Sequence, residues 1–380
     1  MFNLCLISDF FFPEIGGIQT HIYDLALTAI ERGYKVTIVT TVGKDFSIEH
    51  IGKIRVVRVP FPKYSGFVGI AGLANRYEKI LHKLKPDIIH AHHAFSPSGI
   101  IAGHVAKNLN IPAVLTNHSI PVGYEAFRRI WHLISNWLST IPALKNLRKY
   151  DVAIAVSQSA AEFLRFFYSG RIRIIPPPIN YEFFSIKARK SEVGFDESDR
   201  IVLYVGRLEV KKGIEFAIYA FRIIAKIMPE AKLVIVGPDT TPYAWHLKKL
   251  VEVWGLKQNV IFLGKVPREK LNKYYAASDV FIFPSYGGES FGIVVLESMA
   301  AGTPIVTTIG GALAPYIRKY GLGYVTGFNT RRFVAAIIRL LEDDEHRKKM
   351  GEKARQFAKI FSWNRVFSKI EEIYREVARR

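Results

Sequence analysis

The feature that most restricts this chain is an alternation that runs twice along it. Short, nearly continuous Val/Ile/Leu runs are separated by stretches whose apolar residues recur at helical spacing. Residues 3–8, 35–41, 54–59, 87–91, 113–116 and 152–156 read as strands, with helices at 17–32, 73–84, 99–109, 124–138 and 159–167. Strands with no polar/apolar alternation are buried on both faces, the condition of a parallel sheet covered by helices. Repeated βα units therefore imply a doubly wound α/β fold. The pattern stops at Ile174-Ile175-Pro176-Pro177-Pro178-Ile179-Asn180, where consecutive prolines fix φ and remove backbone donors. It then restarts. Strands are expected at 201–205, 232–236, 260–263, 280–284 and 304–307, and helices at 213–227, 244–253, 268–276, 291–300, 331–342 and 346–361. This gives a first domain over 1–180, a second over 181–362, and a terminal helical segment, 363–380, that is a candidate to return to the first. Two such halves place a ligand cleft between them, at the carboxyl ends of the strands.

Composition narrows the function classes. At 380 residues and 49% hydrophobic, the chain has ample material for two cores and none of the character of a disordered tail. One cysteine, Cys5, excludes an intramolecular disulfide and a cysteine metal cluster, and suits a reducing cytoplasm. No apolar run reaches transmembrane length, and the apolar start ends at Asp9 without a basic n-region, so it reads as a buried strand. The charge is lopsided: 53 Lys+Arg against 33 Asp+Glu gives +20. Such a surface attracts phosphate, whether on nucleic acid, on an anionic membrane or on a small molecule, or it serves solubility alone.

Four constellations could carry chemistry. Asp9-Phe10-Phe11-Phe12-Pro13-Glu14-Ile15-Gly16-Gly17 follows the first strand and opens a helix. Paired glycines there let a backbone approach a ligand, and the helix start offers N–H groups to an anion; a plain tight turn is the simpler reading. The stretch lacks the G-x-G-x-x-G dinucleotide fingerprint. Gly206-Arg207-Leu208-Glu209-Val210-Lys211-Lys212-Gly213 follows the first strand of the second half. Arg and Lys at that place suit a diphosphate, or form a solvated basic loop. In Glu289-Ser290-Phe291-Gly292-Ile293-Val294-Val295-Leu296-Glu297, eight residues at helical rise span about 12 Å, near the length of a nucleotide sugar from ribose to hexose. A helix starting near Phe291 would aim its N–H groups at the diphosphate between them. Otherwise Glu289 is a helix-start acid and Glu297 pairs with a lysine. Thr116-Asn117-His118-Ser119 ends a first-half strand, where a histidine could meet a sugar hydroxyl or serve packing. His90, His92 and His93 compete with it. Their adjacent spacing matches neither H-E-x-x-H nor a finger, so a metal is not expected.

Taken together and in order, these pieces resemble the GT-B glycosyltransferases of family 4. The resemblance rests on Phe12-Pro13-Glu14-Ile15-Gly16-Gly17-Ile18-Gln19, Val156-Ser157, Gly206-Arg207-Leu208 with Lys211-Lys212-Gly213, Leu233-Val234-Ile235-Val236-Gly237, Val260-Ile261-Phe262-Leu263-Gly264, and the E-x7-E stretch from Glu289 to Glu297. It covers nearly the whole chain. It implies two Rossmann-like domains and retaining transfer from a nucleotide diphosphate sugar without a metal or other cofactor; no D-x-D occurs. By the family pattern, Arg207 and Lys212 would hold the diphosphate and Glu297 the ribose. Glu289, with the backbone of Phe291, Gly292 and Ile293, would hold the transferred sugar. Gly16 and Gly17 would close over the phosphates, and His118 would stand near the donor sugar. The donor's own phosphate oxygen is thought to deprotonate the acceptor in this family.

The first half is most similar to enzymes that glycosylate phosphatidylinositol, through residues 8–23, Glu31-Arg32-Gly33 and Asn117-His118-Ser119. Pro177-Pro178-Ile179 departs from the commoner family pattern at that place. The expected function is transfer of a hexose or N-acetylhexosamine to a phosphate-bearing lipid, in the cytoplasm and peripherally on the inner membrane face. The same chemistry on a soluble inositol phosphate, oligosaccharide or polysaccharide is the alternative, and a non-catalytic nucleotide- or nucleic-acid-binding protein a remote one. No nucleic-acid-binding motif appears. Aromatic and basic residues mix at 60–85 (Phe61, Lys63, Tyr64, Phe67, Arg76, Tyr77, Lys79) and 124–149 (Phe127, Arg128, Arg129, Trp131, Trp137, Lys145, Arg148, Lys149), which reads as a membrane-facing surface or as amphipathic helices packed inward.

Overall fold

The structure is a computed structural model. It describes all residues except 1, 15, 62–65, 121–142, 309–310 and 380, and for 66–70 the backbone alone. The chain divides into two compact units, Met1–Pro178 with Trp363–Arg380, and Ile179–Ser362.

Among the described residues of the first unit the elements run β1 (Asn3–Ser8), α1 (Gly17–Glu31), β2 (Lys35–Thr40), β3 (Ser47–Ile51), β4 (Ile54–Arg58), α2 (Gly66–Leu84), β5 (Ile88–His92), α3 (Pro97–Asn108), β6 (Ala113–Asn117), β7 (Val152–Ala155), α4 (Gln158–Arg165) and β8 (Arg171–Ile174). The eight strands form one sheet in the order β3-β4-β2-β1-β5-β6-β7-β8. All neighbours are parallel except β3 and β4. Successive β1 residues face opposite cores: Leu4 and Leu6 pack with α1 and the terminal helix Trp363–Ala378, while Cys5 and Ile7 pack with α2 and α3. Both faces are covered, which explains the unbroken apolar strands.

Side-chain caps set the helix starts. Ser96 accepts the Gly99 N–H at 3.2 Å with Pro97 in the first turn of α3, and Ser157 accepts the Ala160 N–H at 3.2 Å to open α4. Asp9, just past β1, joins three elements. Its carboxylate accepts the Ser98 N–H at 2.8 Å, the Ser98 hydroxyl at 2.6 Å and the Thr41 hydroxyl at 2.7 Å.

The second unit continues with α5 (Tyr181–Phe184), β9 (Arg200–Val205), α6 (Ile214–Ile227), β10 (Ala231–Val236), α7 (Pro242–Val253), β11 (Val260–Gly264), α8 (Arg268–Ala277), β12 (Val280–Phe283), α9 (Ile293–Ala301), β13 (Ile305–Thr307), α10 (Ala314–Tyr320), β14 (Gly323–Val325), α11 (Thr330–Glu342) and α12 (Asp344–Ala358). Its described strands form a parallel sheet in the order β11-β10-β9-β12-β13-β14. Again β9 alternates between cores, Val202 and Tyr204 on one side and Ile201, Leu203 and Val205 on the other. The order reverses between β9 and β12, so the loops after these two strands flank the switch point where ligands bind in such sheets.

Several expectations are corrected. The helix expected from 291 begins at Ile293, because Gly292 stands at φ 94° and ψ 60°, in the left-handed region. Only the second half of the Glu289–Glu297 interval is therefore helical, and the 12 Å helical span does not apply. Tyr77, expected at a membrane surface, is fully buried, and its hydroxyl bonds Ser98 at 2.6 Å. The helix expected at 124–138 lies outside the described residues. So do Lys63, Tyr64, Phe127, Arg128, Arg129, Trp131 and Trp137, and the Phe67 side chain. Among the described residues no helix is long and apolar enough to cross a membrane.

Candidate functional site

In the second unit, the loops after β9 and β12 are tied together. The Tyr286 N–H donates to the Lys211 carbonyl at 2.9 Å, and the Ser285 hydroxyl reaches the same oxygen at 3.3 Å. Gly213 closes the first loop at φ 67°, and a Cβ there would stand 2.0 Å from the Pro284 carbonyl oxygen. Only glycine permits that contact. The closeness places Lys212 against the second loop, where its Nζ meets Glu289 Oε1 at 2.5 Å, with 15% and 12% of the two side chains exposed. The pair sits before α9, whose cap, Gly292, supplies no side-chain acceptor to the first N–H groups. A cation, a carboxylate and helix-start donors without a side-chain cap among the described residues thus share one end of the sheet.

The other expected donor residues are placed differently. Arg207 is 68% exposed and pairs with Glu209 at 2.5 Å; the Tyr204 hydroxyl steadies this loop by donating to the Arg207 carbonyl at 3.0 Å. Glu297 lies on α9 and accepts the Tyr275 hydroxyl at 2.8 Å. Burial and the Glu297 charge push Tyr275 well above the ordinary phenol range, so it remains a donor. Phe291 belongs to the core, which leaves its backbone to act, as it does for Gly292; Ile293 is half-buried and opens the helix.

In the first unit, Gly16 is extended at φ −178° and a Cβ would press only on the flexible Gln19 side chain, while a Cβ on Gly17 would meet open space. Neither position needs glycine for its backbone, so the paired-glycine argument from sequence does not hold there. Gly16 instead caps α1 without a side-chain bond.

His118, just past β6, is not isolated. Its Nε2 stands 3.4 Å from His92 Nδ1, and its ring centroid lies 5.2 Å from that of His21 on α1. Burial, with the neighbouring histidines adding to it, lowers His118 and His92 well below the usual imidazole range; burial alone brings His21 to about 4. Beside them, His90 holds Tyr374 and Thr116, each at 2.6 Å, with its two ring nitrogens, as expected of a packing histidine. Sequence spacing gave no reason to group His21 with His118. The only signal was that His90 and His92 share one face of β5.

Comparison with known proteins decides the family. The model described as Glycosyltransferase Family 4 matches residues 15–183, and that described as Glycosyl transferases group 1 matches 185–357. An uncharacterized glycosyltransferase of Methanocaldococcus jannaschii is 30% identical, over 95% of this chain and 94% of its own. The chain belongs to glycosyltransferase family 4. Other relatives of this glycosyltransferase include a D-inositol 3-phosphate glycosyltransferase of Corynebacterium glutamicum (25% identical, over 96% of this chain and 92% of its own) and a phosphatidyl-myo-inositol mannosyltransferase of Mycobacterium leprae (26%, 98% and 96%). A solved sucrose-phosphate synthase of Thermosynechococcus elongatus superposes with a TM-score of 0.78 at 23% identity, covering 99% of each chain. The fold of the transferase is GT-B.

Proposed function

We propose that this glycosyltransferase moves a hexose or N-acetylhexosamine, with retention at the anomeric carbon, from a nucleoside diphosphate sugar to a phosphate-bearing lipid acceptor. The observation that carries the donor half is the Lys212–Glu289 pair, held before the α9 start at the sheet's switch point. An incoming diphosphate would draw Lys212 away from Glu289. That exchange would free the carboxylate to accept hydroxyl hydrogens of the transferred sugar. The N–H groups at Gly292 and Ile293 would hold the phosphate, and Arg207, exposed on its loop, would leave Glu209 to add a forked contact. Glu297, oriented by Tyr275, would accept from the ribose. The donor roles that the family resemblance gives to His118, Gly16 and Gly17 of the first unit remain part of this proposal, with His118 as a neutral group. This donor chemistry draws its positive charge from Lys212, Arg207 and helix N–H groups and calls for no metal ion.

The lipid acceptor is favoured by the phosphatidylinositol-acting relative and by the surplus of positive charge. A soluble acceptor is favoured equally by the relative named for inositol 3-phosphate. A panel of nucleotide sugars, offered with either phosphatidylinositol vesicles or inositol 3-phosphate, distinguishes the two. Release of nucleoside diphosphate only with vesicles supports the lipid reading, and release only with the soluble phosphate replaces it. Anomeric NMR of the product tests retention. Absence of turnover with every donor overturns the reading.

A further inference from the structure

We propose that His21, His92 and His118 form a binding site for one zinc-class divalent ion in the first unit. The three rings come from α1, the end of β5 and the residue after β6, and one ligand atom from each lies within 4.8 Å of the others. Their centroids form a near-equilateral triangle: 5.6 Å from His21 to His92, 5.2 Å from His21 to His118 and 5.7 Å from His92 to His118. Imidazoles around a tetrahedral ion at about 2.0–2.1 Å hold their ligand nitrogens about 3.4 Å apart. His92 Nδ1 and His118 Nε2 are 3.4 Å apart, longer than a good N–H···N bond and suited to sharing an ion.

The nitrogen inventory agrees. Buried polar atoms ordinarily find partners. His90 does so twice, yet among the described residues His21 Nδ1, His92 Nε2 and the neighbouring His93 Nδ1 are buried without a partner. An ion bound through His92 Nδ1 and His118 Nε2 would fix those two tautomers, with the unpartnered His21 Nδ1 available as the third donor.

The ligand class follows from the donor set. Among the described residues the donor set is three imidazoles, which do not suit Mg2+ or Ca2+, since these take oxygen, but suit Zn2+ and its neighbours. Three protein ligands leave a fourth position for water or a substrate oxygen. His118 is the least buried of the three. Lys212 and Glu289, which carry the donor reading, belong to the other unit; His118 has a part in both proposals, so the site is tested by ion binding and not by transfer activity.

The test uses full-length, tag-free protein stripped with a chelator and titrated with Co2+. One equivalent is expected to bind with the intense visible bands of a tetrahedral ion, to be displaced by Zn2+, and to ignore Mg2+. Zn2+ should also raise the melting temperature. His21→Phe and His92→Phe keep ring volume and should weaken Co2+ binding at least tenfold. His93→Gln, whose own contact is the Ser119 hydroxyl at 3.1 Å, should bind as the wild type does. If either Phe variant fails to fold by circular dichroism, the wild-type titration still decides. Absence of bands with excess Co2+, octahedral bands alone, or an unchanged titration in a folded Phe variant would overturn the site.

Discussion

Lys212 and Glu289 neutralise one another at 2.5 Å while mostly shielded from water, so neither can be removed silently. Lys212→Ala deletes the cation proposed for the diphosphate, and Glu289→Ala the acceptor proposed for the sugar. Each should lower kcat roughly 10²–10³-fold, the usual loss when one preorganised charge contact is removed. The partner left behind is only 12–15% exposed, so each variant should also melt lower by several degrees while still folding cooperatively. Steady-state kinetics beside a melting curve would show this. Wild-type turnover in either variant would remove the pair from the site. At Asp9 the balance is reversed. It accepts one N–H and two hydroxyls from Ser98 and Thr41, so Asp9→Ala strands three donors and should cost about 2–3 kcal/mol in urea unfolding. A loss under about 0.5 kcal/mol would show that Asp9 does not anchor α3. At this scale the sequence was legible for the two strand-end loops that carry Lys212 and Glu289, which the structure brings side by side. It was not legible for His21, whose partners come from distant elements and are brought together only by the sheet order.

Among the elements, the loop from Gly206 to Gly213 shows most directly how backbone dictates the site. Gly213→Ala would drive a Cβ into the Pro284 carbonyl at 2.0 Å from a φ of 67° that L residues resist, and both atoms involved are backbone or adjacent to it. We expect a loss of at least about 2 kcal/mol and displacement of Lys212, seen as weaker nucleotide binding in calorimetry. Gly17→Ala should leave stability within about 0.5 kcal/mol, since its Cβ would enter open space at the start of α1. Equal effects at the two glycines would contradict this account. The buried parallel strands were readable because both faces are covered and their apolar runs are unbroken. The strands missed from sequence carry no such run. β3 has the polar sequence Ser-Ile-Glu-His-Ile on the sheet's antiparallel edge, β8 alternates Arg and Ile at the opposite edge, and β14 is three residues long. Edge strands are specified by the neighbour they pair with, not by their own hydrophobicity.

At the scale of the whole molecule, the charge of +20 is a property that no single pair explains. Part of it is displayed on a short 3-10 helix, Lys145–Lys149, of the first unit. There Leu147 is buried and anchors the turn while Lys145, Arg148 and Lys149 all face outward. Each base near an anionic bilayer contributes about 1 kcal/mol, and the attraction falls off over a Debye length. Replacing all three by Ser should therefore weaken binding to phosphatidylserine-containing vesicles roughly a hundredfold, at about 1.4 kcal/mol per tenfold. Nucleotide binding should not change, because these residues and the Lys212–Glu289 pair belong to different units. Wild-type protein should sediment with anionic vesicles at low salt, release as salt rises, and ignore neutral vesicles. Sedimentation with neutral vesicles would point to insertion of apolar groups and not to charge. Equal sedimentation of the triple variant and wild type would remove this helix from any membrane contact. If neither form sediments, the positive surface does not bring the enzyme to a lipid, and the soluble inositol phosphate becomes the acceptor to pursue.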